Sequence, residues 1–325
     1  MTTNINIFGD AVSHGGLVNL YREAYEELER EFPHLSGHLA LYFDNDPREM
    51  KEVIAGYFPD PAVHDQFITT IEQAMAGNNS SLVGTFAADN GDIKGGIVIR
   101  HVTDSFDPSK QEQLMWGRVY HRPGFPRPNP PLDYPEGFNF WLDFYHELGN
   151  HLHAMRNIER FKAGTVTSLE KEMFADTFAT FAMYKRFGPE VFPFLKHFSN
   201  VRTLQVALYG NQQYYSSPAI LEAMDRMMGK QGKFSRMSLK EMEEATVPIV
   251  AKTMKYHKDS KALSEGVEPL SDPTVQSVLL ASVNHGMDLL RQMGLRNYAI
   301  KYRKAITDIF ALSKGEAPYS AYDPD

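Results

Sequence analysis

Phe144-Tyr145-His146-Glu147-Leu148-Gly149-Asn150-His151-Leu152-His153 is the stretch on which the reading of this chain turns. At 100° per residue, Trp141, Phe144, Tyr145, Leu148, Leu152 and Met155 fall in one broad apolar stripe. His146, Asn150 and His153 fall on the opposite side, with Glu147 and His151 beside them. The pattern predicts a helix with a core face and a face of ligand-type side chains. A second helix follows. Thr167 with Glu170 three residues later fits a capping box, and Glu172 and Asp176, four apart, share a face. Phe174, Phe178 and Phe181 lie on its other side. Ala175, Ala179 and Ala182 are small enough to admit a neighbouring helix closely.

The residue types belong together chemically. A catalytic zinc takes three protein ligands and leaves a fourth position for water. Two ligands one helical turn apart form a rigid half of such a site, and a carboxylate from a second helix completes it. A Glu after the first His is placed to take a proton from water. An acid one turn past the third ligand can accept the N–H of a ligating His and fix its tautomer.

His146-Glu147, with Glu172 following 26 positions after His146 and Asp176 after that, resembles the gluzincin metallopeptidases, the thermolysin-like group. Their pattern is H-E-x-x-H followed by E-x-x-x-D. The likeness covers roughly residues 137–187. The shorter run His146-Glu147-Leu148-Gly149, with Glu172, Ala175, Asp176, Phe178 and Ala179 after it, is also similar to the small intracellular repressor-cleaving peptidases of the ImmA/IrrE type. The resemblance implies His146 as a first zinc ligand, Glu147 as general base, Glu172 as third ligand and Asp176 as the residue that orients His146.

The departure is Asn150, which stands where the pattern has its second His. An amide oxygen is a poor substitute for imidazole on zinc. Three outcomes are open at this point. Asn150 binds weakly and favours another divalent metal, His151 or His153 replaces it, or the site holds no metal. His151 is about 140° from His146 on a regular helix, so it needs a π-bulge near Gly149-Asn150 to come round. His153 is two turns on, about 10.5 Å along the axis. The plain alternative is a surface helix whose polar face is simply solvated.

The remaining 325-residue chain sets bounds. A net charge of −8 disfavours nucleic acid as the main partner. With no cysteine, thiolate ligands, thiol nucleophiles and disulfides are excluded. No signal peptide and no long apolar span is evident, so a soluble cytoplasmic protein is expected, with a secreted effector as the other possibility and no membrane partner. Leu17 to Leu28 has helical spacing and stops at Phe32-Pro33. Asp46-Pro47 and Asp60-Pro61 read as helix starts. Segments 82–88 and 93–102 around Asn90-Gly91 predict a hairpin, with a bulge or close approach at Gly95-Gly96. The proline-rich stretch 121–137 reads as a stiff loop. Ser271-Asp272-Pro273 opens a long helix, and Tyr298 to Phe310 predicts another. Tyr209, Tyr214 and Tyr215 are candidate oxyanion donors, more readily explained as packing residues. His121, His197, His257 and His285 read as scattered surface or core residues.

The expected fold is therefore α+β and mostly helical, with a small antiparallel sheet beside a metallopeptidase-like helix pair and extra N- and C-terminal helices. The expected organisation is an N-terminal helical region 1–78, a core 79–200 and a C-terminal helical region 201–325, the three packing as one domain or separately. The expected function is peptide-bond hydrolysis with Zn2+, acting on a peptide or protein. The alternative is an inactive descendant of the same fold that binds one.

Overall fold

The computed structural model describes residues 15–35, 38–43, 81–87, 93–99, 133–209 and 212–259, with seven single positions between residues 61 and 115. The proposed helices at 46–50 and 272–310, the Asn90-Gly91 turn, residues 121–132 of the proline-rich loop, His121 and His285 lie outside them.

The described residues are mostly helical. Helix α1 (Gly15–Glu31) leads through a short 3-10 turn at Pro33–Leu35 into β1 (Leu39–Phe43). Strands β2 (Ser81–Ala87) and β3 (Ile93–Ile99) follow, then α2 (Phe138–Arg156), α3 (Ile158–Lys162), α4 (Ser168–Phe187), α5 (Phe192–Tyr209), α6 (Ser217–Gly229), α7 (Gln231–Phe234) and α8 (Leu239–Asp259). Position 200 lies inside α5, and α6 and α8 pack on α4 just as α2 does. Among the described residues no helix is long and apolar enough to cross a membrane.

The sheet has the order β1-β3-β2. β2 and β3 form the expected antiparallel pair, and their register runs one to one through Gly84↔Gly96 and Thr85↔Gly95, so no bulge interrupts it. The sheet as a whole is mixed, because β1 pairs parallel to β3, with Leu39↔Gly95, Leu41↔Ile97 and Phe43↔Ile99. This strand falls where helix was expected. Its alternation is the reason it forms: Leu39, Leu41 and Phe43 point the same way and all are core residues. Phe43 meets Phe140 and Phe144 of α2 edge to face, at 5.0 and 6.4 Å between ring centres. That face of the sheet lies against α2.

Helix α2 is buried all round. Every residue from Phe138 to Ala154 is inaccessible, the polar ones included. The reading of a solvated outer face is thereby corrected: α4 covers it. α2 starts at Gly137, whose φ of 70° suits glycine, and a Cβ there would stand 2.5 Å from Phe106. Thr167 caps α4 by accepting from the Glu170 N–H at 3.1 Å. The Glu170 carboxylate does not close the expected box; it forks onto Arg160 at 2.7 Å for both contacts.

The crossing of α2 and α4 is close because of one residue. A Cβ added at Gly149 would lie 2.9 Å from Ala175 Cα and 3.2 Å from Phe178 Cδ1. Gly149 thus serves helix contact, and α2 runs as an unbroken α-helix with no π-bulge. At the far end, Arg186 of α4 lies 3.3 Å over the Trp141 ring. It pairs with Glu27 of α1 at 2.8 Å and donates to the Tyr145 hydroxyl at 2.9 Å, tying three helices together.

Gly149→Ala should destabilise the protein by about 1–3 kcal/mol, because the obstructing atom is backbone. Helix propensity alone favours alanine by roughly 1 kcal/mol. Gly229→Ala, where no atom lies within 4 Å, should show that gain or no change. Urea denaturation of the two variants checks the contrast.

Candidate functional site

The α2–α4 crossing brings His146 against Glu172 and Asp176. His146 Nδ1 lies 2.7 Å from Asp176 Oδ1, and its Nε2 lies 3.2 Å from Glu172 Oε2. Asn150, one turn along α2, places its Nδ2 3.2 Å from His146 Nε2 and donates at 3.2 Å to Glu147 Oε2. Its Oδ1 is buried with no hydrogen-bond partner among the described residues. His146, Glu147, Asn150 and Asp176 are all buried. Five of the residues singled out in the sequence therefore share one enclosed cluster.

His151 stands apart. Its Nδ1 pairs with Thr85 Oγ1 of β2 at 3.3 Å, on the row where β3 contributes only Gly95. Burial pushes its pKa down to about 3, which leaves a neutral ring. It is not brought to His146. His153 also goes elsewhere: its Nε2 is 3.5 Å from Glu170.

A residue absent from the sequence reading completes the cluster. Arg202 of α5 forks onto Asp176, Nε to Oδ2 and Nη2 to Oδ1, both at 2.8 Å. Its Nη2 also lies 3.9 Å from Glu172 Oε2. Gln205 accepts from Nη1 at 3.0 Å, and the guanidinium carbon is 4.4 Å from the Tyr214 ring centre. Ser216 Oγ donates to Asp176 Oδ2. Asp176 thus takes donors from His146, Arg202 and Ser216. One signal pointed there: a lone Arg amid the apolar residues of α5 needs a partner when buried. Tyr214, expected near an oxyanion, instead lies against Arg202.

The charges act on one another. Burial alone would raise the Asp176 pKa, but Arg202 and then His146 outweigh it and hold the carboxyl well below its ordinary range. Burial would likewise raise Glu172, and His146, followed by Arg202, brings it down. Burial would lower His146; Asp176 and Glu172 outweigh it and, in the metal-free protein, raise it to about 10.

The arrangement also suits a metal. Two ligands each about 2.0–2.1 Å from a tetrahedral zinc lie ~3.3 Å apart, which is the spacing of His146 Nε2 from Glu172 Oε2 and from the Asn150 amide. The two ends of a carboxamide are alike in size, and a half-turn about its terminal bond would set Oδ1 where Nδ2 stands. Among the described residues no three His, Cys, Asp or Glu side chains form a metal-holding group; the third place beside His146 and Glu172 belongs to an amide. Compared with protein families, curated proteins and solved structures, the chain finds no match in any of the three.

Arg202→Met should cost about 3–5 kcal/mol, because it leaves buried carboxylates unpaired. In metal-free protein, His146 has a folded pKa above its ordinary 6.5. Its contribution is therefore full below pH 6.5 and is lost as pH rises through about 10. Unfolding free energies in EDTA should fall over that interval, and His146→Gln should flatten the fall.

Proposed function

We propose that this chain is a metal-dependent peptidase of the gluzincin kind, with His146, Asn150 and Glu172 holding a divalent cation, zinc foremost, and Glu147 as general base. The observation that carries the reading is the 3.2 Å between His146 Nε2 and Glu172 Oε2 while Nδ1 is fixed on Asp176. Asp176 keeps the proton on Nδ1, so the Nε2 lone pair is directed toward Glu172. Asn150 offers an otherwise unpartnered oxygen. Being neutral and harder than imidazole, it weakens zinc binding and shifts preference toward oxygen-loving divalent ions.

A divalent ion held there supplies a Lewis acid for the scissile carbonyl and acidifies water. Glu147 receives the proton of the attacking water on its carboxylate and returns it to the leaving amine. The contact with Asn150 Nδ2 orients that carboxylate in the resting protein. An extended peptide or protein segment is the substrate, added as a strand along β2, the edge of the sheet nearer α2.

A second reading has its own support in Arg202. Its guanidinium, with a protonated His146, neutralises Asp176 and Glu172 from within the chain. On that reading the fold binds a peptide or protein without cleaving it.

Protein purified without chelator should carry about one divalent metal per chain by elemental analysis. Glu147→Gln should keep the metal and lose peptide hydrolysis by a factor of 100 or more, on the order expected for removing a general base. Asn150→His should raise zinc affinity. A chain that takes up no metal, even as Asn150→His with zinc added back, would leave the non-catalytic reading standing.

A further inference from the structure

A second candidate site lies at the other end of α2. A cavity of about 530 Å³ opens between α2, α3, α4 and α8, within the range of small-molecule pockets. Its apolar part comes from Phe174 of α4 and from Val250 and Met254 of α8. Its polar part includes His153 and Lys255. His153 is two turns from His146, about 10.5 Å along the helix axis, so the two sites are separate.

His153 carries the argument. It is 3% exposed, and its Nδ1 is buried with no hydrogen-bond partner among the described residues. Its Nε2 faces Glu170 Oε1 at 3.5 Å. Glu170 is held ionised by its fork to Arg160. A proton on Nε2 satisfies that carboxylate, so Nδ1 of the neutral ring is left with a lone pair. Burial lowers the pKa of His153 and outweighs the opposing pull of Glu170, which keeps the ring neutral. A buried acceptor without a donor is costly, about 1–3 kcal/mol, and a ligand N–H or O–H removes that cost. The two arginines at the rim are engaged, Arg160 with Glu170 and Arg156 with Glu244 at 2.8 Å. Lys255 is exposed and has no ion pair among the described residues.

We infer that this cavity binds a short apolar molecule with an N–H donor and an anionic end, the chemistry of an N-acylated apolar amino acid or a peptide C-terminus. The N–H donates to His153 Nδ1, the apolar side chains cover Phe174, Val250 and Met254, and the carboxylate pairs with Lys255. Arg156 and Arg160 set a positive rim that favours the anionic end.

The test titrates Nα-acetyl-Leu-Leu into the full chain in EDTA, which holds any hydrolysis off, with calorimetry and methyl NMR as readouts. Saturable binding should appear with a Kd below about 1 mM. Ala251→Trp places an indole in the cavity from an exposed position on α8; it should weaken binding roughly tenfold or more with Tm unchanged. Two altered ligands test the chemistry without touching the fold. The C-terminal carboxamide and the ester analogue lacking the Leu–Leu N–H should each bind several-fold more weakly, and Lys255→Glu should reproduce the carboxamide result. No saturation at about 10 mM, equal binding by the carboxamide, or unchanged binding in a folded Ala251→Trp would overturn the assignment.

Discussion

The approach of Gly149 to Ala175 is the constraint on which the rest depends. At 2.9 Å from a would-be Cβ, Ala175 leaves no room for a larger residue on α2. His146 is three residues before Gly149, and Glu172 and Asp176 flank Ala175. Close contact at this one point therefore sets the distance at which an imidazole meets two carboxylates. Separating the helices by the width of a methyl group would break the 2.7 and 3.2 Å contacts of His146 together.

So close an approach of polar faces is tolerable only if the charges compensate. Three carboxylates, Glu147, Glu172 and Asp176, stand in or beside one buried cluster, and Arg202 is the permanent cation that faces them. Arg202 spends its two best bonds on Asp176, the residue without solvent exposure, and keeps 3.9 Å from Glu172. That division leaves Glu172 needing a second positive partner. A protonated His146 is one solution, with its pKa raised to about 10; a divalent ion with a neutral His146 is the other. The two are mutually exclusive at Nε2, so cation binding and proton release are linked.

Much of the cluster was legible in the sequence because helices keep local spacing. Four-residue intervals set His146 beside Asn150 and Glu172 beside Asp176, and Thr167 marked where α4 begins. The non-local parts were not. Arg202 reaches Asp176 from another helix, and nothing in its own surroundings says which carboxylate it meets. His151 finds Thr85, 66 positions away, through a sheet whose parallel strand β1 had been read as helix. The burial of the polar side of α2 was hidden for the same reason: amphipathic spacing separates polar from apolar faces, but whether the polar face meets water or a second polar helix is decided elsewhere. The third site helix, α5, and its Ser216 neighbour belong to the same class of information.

These two faces of α2 also narrow what can occupy the second ligand position. His151 is held on the sheet side by Thr85, in a row where Gly95 has no side chain to contribute, and its ring is neutral and enclosed. Gly149 is held on the α4 side by Ala175. A π-bulge that rotated His151 toward His146 would shift every residue after it by about 100°. It would withdraw His151 from Thr85 and move the polar tip of α2 away from Glu170 and the cavity at His153. The unbroken helix therefore fixes position 150 as the place beside His146 and Glu172, and the chemistry of this cluster is set by what a buried amide can do there.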